Sequence, residues 1–145
     1  MITAVDTSVL IDVLIVDPQH ADSSEAALRR SAAEGRLVVC DVVYAELAGA
    51  FNERAALDAF LDGAGIERES MSADGLFLAG VAWRAYVRNR GAIQCPSCGS
   101  SLAWRQHLVS DFLIGGHAIS SADRLLTRDR GFFRTYFSGL ALGEA

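Results

Sequence analysis

Apolar residues fall along this chain in short unbroken runs separated by longer stretches of helical periodicity. Ile2–Val5 is such a run, ends at Asp6, and predicts a buried strand. Thr7 or Ser8 can then cap a helix over 9–14, which Asp17-Pro18 stops. A helix over 22–34 is closed by Gly35, and 37–40 reads as a second buried strand. Asp41 caps a helix that runs through Phe51, and another covers 53–62 before the break at Gly63-Ala64-Gly65. Residues 66–71 suit a short strand or an extended loop, and Ser72 caps a long helix ending near Gly91. Over 93–108 the pattern fails, because Cys, Pro, Gly and Ser crowd together, and the segment reads as an inserted loop. Regular structure resumes with a helix over 111–120, a strand over Arg124–Thr127, a short helix over 131–137 and a last strand over 140–142. Strands separated by helices imply one α/β domain over 1–145, with a parallel sheet flanked by helices on both faces.

Composition narrows the picture. The chain has 145 residues, half of them apolar, which suits one domain with one core. No run approaches the roughly 20 apolar residues of a membrane span. The N-terminus lacks the basic and apolar regions of a signal peptide, so the sequence reads as a cytosolic protein. All thirteen basic residues are Arg, a bias that favours bidentate phosphate contacts but that codon usage also produces. The net charge of −5 argues against nucleic-acid binding over the whole surface. It leaves room for an acidic site that meets phosphate through bound cations.

Four acids are the candidates for such a site. In open α/β sheets, ligands bind beyond the carboxyl ends of the strands where the strand order reverses. Asp6 ends the first strand, Asp129 follows the Leu125-Leu126-Thr127 strand, and Asp111 opens a helix. Glu46 lies mid-helix among Val42, Val43, Leu47 and Ala50, where an inward charge is costly unless paired or metal-bound. Each acid also has an ordinary role open to it. Asp6 and Asp111 can cap helices, Asp129 can form a turn, and Glu46 can face solvent. Convergence has a physical consequence, since two carboxylates about 5 Å apart repel by about 3 kcal/mol at an effective dielectric of about 20. Four together call for cations, and oxygen-only ligation favours Mg²⁺ or Mn²⁺. That apparatus serves phosphodiester cleavage. A metal-free nuclease would need an acid–base pair such as two His, whereas His20 and His117 sit in helical contexts and read as structural.

The motifs Val5-Asp6-Thr7-Ser8-Val9-Leu10 and Tyr44-Ala45-Glu46-Leu47 come early. Asp111-Phe112-Leu113-Ile114-Gly115-Gly116-His117-Ala118 and Leu125-Leu126-Thr127-Arg128-Asp129-Arg130-Gly131-Phe132 come late. Through them the chain resembles the PIN-domain ribonucleases, and among these the VapC-type toxins of toxin–antitoxin pairs. The resemblance implies a parallel sheet, a Mg²⁺-dependent endoribonuclease and an antitoxin partner that occupies the acidic groove; a homodimer is expected as well. It makes Asp6, Glu46, Asp111 and Asp129 the catalytic, metal-binding quartet, with Ser8 and Thr127 as supporting polar residues. The insertion before Asp111 departs from the family pattern and leaves substrate choice open.

Within that insertion, Cys95-Pro-Ser-Cys98-Gly99 has the form of a zinc knuckle. A structural zinc needs four ligands, which His107 and one further group, or a second copy of the chain, would supply. Cys40 reads as a buried strand residue. Two other functions stay open. An aspartyl-nucleophile phosphatase also starts on a strand ending in Asp, but it usually carries a second acid where Ser8 stands. A catalytically inactive PIN scaffold would bind RNA or a protein through the cysteine loop.

Overall fold

A computed structural model describes residues 1–89, 97–98 and 109–145. The chain order is β1 (Ile2–Val5), α1 (Thr7–Leu14), α2 (Ala21–Glu34), β2 (Arg36–Cys40), α3 (Asp41–Ala48), α4 (Arg54–Gly63), β3 (Ile66–Glu69), α5 (Ala73–Asn89), α6 (Ser110–Ser121), β4 (Arg124–Thr127), α7 (Arg130–Tyr136) and β5 (Leu142–Glu144). The described strands form one sheet in the order β3-β2-β1-β4-β5, and all four pairings are parallel. Strand order builds outward from β1 to β3, then jumps back to β4 and β5. Right-handed crossovers place these two sets of connections on opposite faces of the sheet. The central strands are mostly apolar because both faces are covered. Val5, Val38, Val39, Leu125 and Leu126 are all buried.

On one face, α5 and α6 cross with almost no space between their backbones. A Cβ added to Gly116 would strike the Gly75 carbonyl and come within 2.9 Å of the Ala79 Cβ. This contact fixes α6 lengthwise, so its first turn, with Asp111, is delivered to the carboxyl edge of the sheet. Gly65, at φ 66°, takes the left-handed conformation that turns α4 into β3.

Several element ends differ from expectation for identifiable reasons. Helix α3 stops at Ala48 rather than Phe51, because 49–51 close as successive turns whose amides bond to Glu46, Leu47 and Ala48. Asp41 does not cap α3; it is the first helical residue, and its carboxylate accepts from the Met71 amide at 3.2 Å. Ser72 does cap α5, accepting from the Gly75 amide at 3.0 Å. The last strand is Leu142–Glu144 rather than 140–142. Leu140 is held in a turn by the Phe137 carbonyl at 2.9 Å, and pairing with β4 starts at Leu125 opposite Leu142.

Candidate active site at the carboxyl edge of the sheet

Strand order reverses between β1 and β4, and their carboxyl ends are where the acids gather. Asp6 follows β1 directly and is buried, at 6% exposure. It occupies the cap position of α1 that Thr7 or Ser8 was expected to fill, yet its side chain makes no capping bond. Instead, Oδ2 accepts two hydroxyl protons, from Ser8 Oγ at 2.7 Å and from Thr127 Oγ1 at 2.7 Å. The two polar positions singled out in the sequence therefore both grip Asp6.

Thr127 is fully buried and links two of the acids. Its oxygen donates to Asp6 and accepts from the Asp129 amide at 3.0 Å. Asp129 is exposed, and its Oδ1 accepts from the Phe132 amide at 3.1 Å, so it caps α7 as well as lying at the edge.

Of the two placements open to Glu46, inward or toward solvent, the structure has the second. Helix α3 turns Val43 and Leu47 to the core, and Glu46, on the flank of that stripe, is exposed. Its carboxylate accepts a hydrogen bond from the Thr7 hydroxyl. Thr7 is a residue whose part in the site the sequence did not signal; its only cue was adjacency to Asp6.

Asp111 lies half-buried in the first turn of α6. Its carboxyl is held above the ordinary carboxylate value of 3.8, first by burial and then by the negative charges of Asp6, Glu46 and Asp129. The other three expected acids thus all fall within electrostatic reach of Asp111. The four do not form a closed cage. Among the described residues, no three His, Cys, Asp or Glu side chains stand close enough to hold an ion by themselves.

A fifth carboxylate was missed. Asp12, on α1, is 1% exposed, accepts from Ser24 Oγ at 2.7 Å and pairs with Arg128 Nε at 3.0 Å.

The other candidates separate from the site. His117 is buried in α6, burial holds its ring below the usual value, and its Nε2 has no hydrogen-bond partner in the described structure. Cys40 is buried in β2, and burial raises its thiol. Of the zinc-knuckle candidates, Cys95 and His107 lie outside the described residues, as does most of the expected 93–108 loop, and Cys98 is exposed. No described helix is long and apolar enough to cross a membrane.

Comparison with known proteins agrees with this architecture. No curated protein matches the sequence. Among solved structures, the chain resembles VapBC2 from Rickettsia felis bound to a DNA fragment from its promoter, at 23% identity and TM-score 0.65. It also resembles VapBC-1 from nontypeable Haemophilus influenzae, at 18% identity and TM-score 0.68. DNA-bound VapBC from Salmonella typhimurium matches at 18% identity and TM-score 0.65. Each alignment covers 99% of this chain and 98% of the other, and at such identities the likeness is one of fold. The sequence itself matches the PIN domain family over residues 3–138, nearly its full length. The chain belongs to the PIN-domain family.

Proposed function

We propose that this protein is a metal-dependent endoribonuclease and the toxin member of a toxin–antitoxin pair. The observation that carries the reading is the Asp111 carboxyl, raised in pKa by burial and by the charges of Asp6, Glu46 and Asp129. Carboxylates crowded at an open edge suit a hard divalent cation. Mg²⁺ or Mn²⁺ takes a few carboxylate oxygens, keeps several waters, and completes its shell with substrate phosphate.

Asp6, Glu46, Asp111 and Asp129 would hold the ion. When bound, it would supply a water of lowered pKa and charge compensation at the phosphate and leaving oxygen. The chain's own contribution is orientation. Ser8 and Thr127 both occupy Asp6 Oδ2, which leaves Oδ1 as the donor for a ligand. Thr7 restrains the Glu46 carboxylate in the same way.

Cleavage of RNA by the purified protein tests the reading. We expect cleavage with Mg²⁺ or Mn²⁺, none with EDTA, and none from Asp6→Asn in either condition. The same ions should raise the melting temperature, since binding to the folded state alone adds about 2.7 kcal/mol at a hundredfold excess over Kd. An equal rise in Asp6→Asn would place the metal elsewhere. Folded wild-type protein that binds no metal and cuts no RNA would favour the inactive scaffold instead.

The partner reading rests on the named relatives, which are VapBC assemblies. A small antitoxin that sets a cationic side chain among the acids would neutralise them as a metal does. Co-expression with the adjacent reading frame should yield a stable complex without nuclease activity, and recovery of fully active, uncomplexed nuclease would count against this partner. A homodimer is supported by α5, which exposes Leu76, Phe77, Leu78 and Val81. Asp74 and Arg88 stand two turns to either side of Val81, so two antiparallel copies of this helix would pair opposite charges.

A further inference from the structure

A carboxylate that is 1% exposed and takes no place among the four acids needs its own account. Asp12 lies on the inner face of α1, where an unpaired charge would cost several kcal/mol. Two groups reach its Oδ2: Ser24 Oγ of α2 at 2.7 Å and Arg128 Nε at 3.0 Å. Asp17, at the turn before α2, also feels the Arg128 charge.

Arg128 occupies a singular place in the chain. Thr127 before it bonds to Asp6, and Asp129 after it is one of the acids. The turn itself is tightly specified. The Asp129 amide donates to Thr127 Oγ1, the Arg130 amide donates to the Arg128 carbonyl at 3.1 Å, and the Asp129 carboxylate caps α7. Thr127 ties this turn to the end of β1, and Arg128 ties it to the α1–α2 pair. With Cα atoms about 3.8 Å apart, any movement of Arg128 is passed to Asp129.

We infer that Asp12 and Arg128 are positioning residues, an ion pair between a buried carboxylate and an exposed guanidinium that holds the 127–130 turn so that Asp129 stands where the other acids can share a cation with it. The inference rests on the metal-binding reading of the four acids. Arg128 suits the role because its planar guanidinium, 3.0 Å from Asp12 through Nε, is a larger and more rigid cation than a lysine ammonium. Hydrogen-bonded partners that orient metal ligands are typically worth about ten- to a hundredfold in metal affinity.

The test is Mn²⁺ binding by calorimetry on the full chain. Arg128→Gln alone leaves Asp12 buried without its cation and is prone to unfold. The decisive protein is therefore the double variant Asp12→Asn with Arg128→Gln, which removes both charges and keeps the polar contacts of the site. We expect it to fold, to bind Mn²⁺ about ten- to a hundredfold more weakly than wild type, and to lose cleavage mainly through the metal requirement, with activity partly recovered at high Mn²⁺. Arg128→Lys should show the same weakening to a smaller degree. A folded double variant with wild-type Mn²⁺ affinity would overturn the inference and leave the pair a purely structural bond. Wild-type protein that binds no Mn²⁺ would instead overturn the reading of the site itself.

Discussion

Asp111→Asn should abolish RNA cleavage while making the protein harder to melt. The two effects have one cause. The Asp111 carboxyl titrates above its ordinary value because it is half-buried and faces the charges of Asp6, Glu46 and Asp129. A folded-state pKa above the unfolded one gives stability that is complete below the unfolded value of 3.8 and is lost as pH rises through the folded value. At neutral pH the ionised side chain is therefore a net cost to the fold. Asn has nearly the same shape and no charge, so it removes that cost. In a chain of this size, each 1 kcal/mol of relief raises Tm by about 4 °C. Without its charge, position 111 should bind cation poorly, and cleavage should be lost with the metal. The stabilisation should appear without added metal at pH 7 and shrink as pH falls through the raised folded-state value, where wild-type Asp111 takes up its proton. A variant that melts lower than wild type at pH 7, or that cleaves normally at saturating Mg²⁺, would break the assignment.

The outline of this site was readable from the sequence because its main signals are local. The buried strands show as continuous apolar runs, and an acid directly after such a run lies at the carboxyl edge whatever the remaining topology. Asp6 directly follows its run, and Asp129 lies two residues past the end of its own, at the same edge. What stayed hidden depends on contacts distant in sequence. Asp12 sits in Thr-Ser-Val-Leu-Ile-Asp-Val-Leu, where a single acid in an apolar helix reads as a solvent-facing residue. Only the fold brings Arg128 to it. For Glu46 the inward and solvent-facing readings both stay open in the sequence, because α3 is apolar on most sides and eight residues long, too short for periodicity to separate flank from core. The β5 boundary slipped by two residues because Leu140, though buried, is held in a turn rather than in the sheet. Local chemistry marks which residues matter, and packing decides what each one touches.

Thr127→Val should damage stability and catalysis together, because one hydroxyl serves two acids. Thr127 is fully buried at the end of β4. Its proton goes to Asp6 Oδ2 at 2.7 Å, and its lone pair receives the Asp129 amide at 3.0 Å. Valine keeps the shape and the β-branched preference for a strand, so the backbone has no steric reason to move. What it removes is both bonds at once. The Asp129 amide loses its acceptor, and among the described residues the buried Asp6 carboxylate keeps only the Ser8 hydroxyl. A buried polar group left unsatisfied costs about 1–3 kcal/mol, which amounts to a fall in Tm of about 4–12 °C. With Asp6 freer to rotate and the Asp129 turn unpinned, Mn²⁺ affinity should drop by about ten- to a hundredfold, and cleavage should drop with it. Thr127→Ser restores the hydroxyl and should recover most of the metal affinity, while losing a little stability to the missing methyl. Measured well below the lower melting temperature, the Val and Ser variants therefore separate orientation from folding. If Val binds Mn²⁺ as tightly as Ser does, the Thr127 hydroxyl does not organise the acids, and the coupling of Asp6 to Asp129 has to run through some other contact.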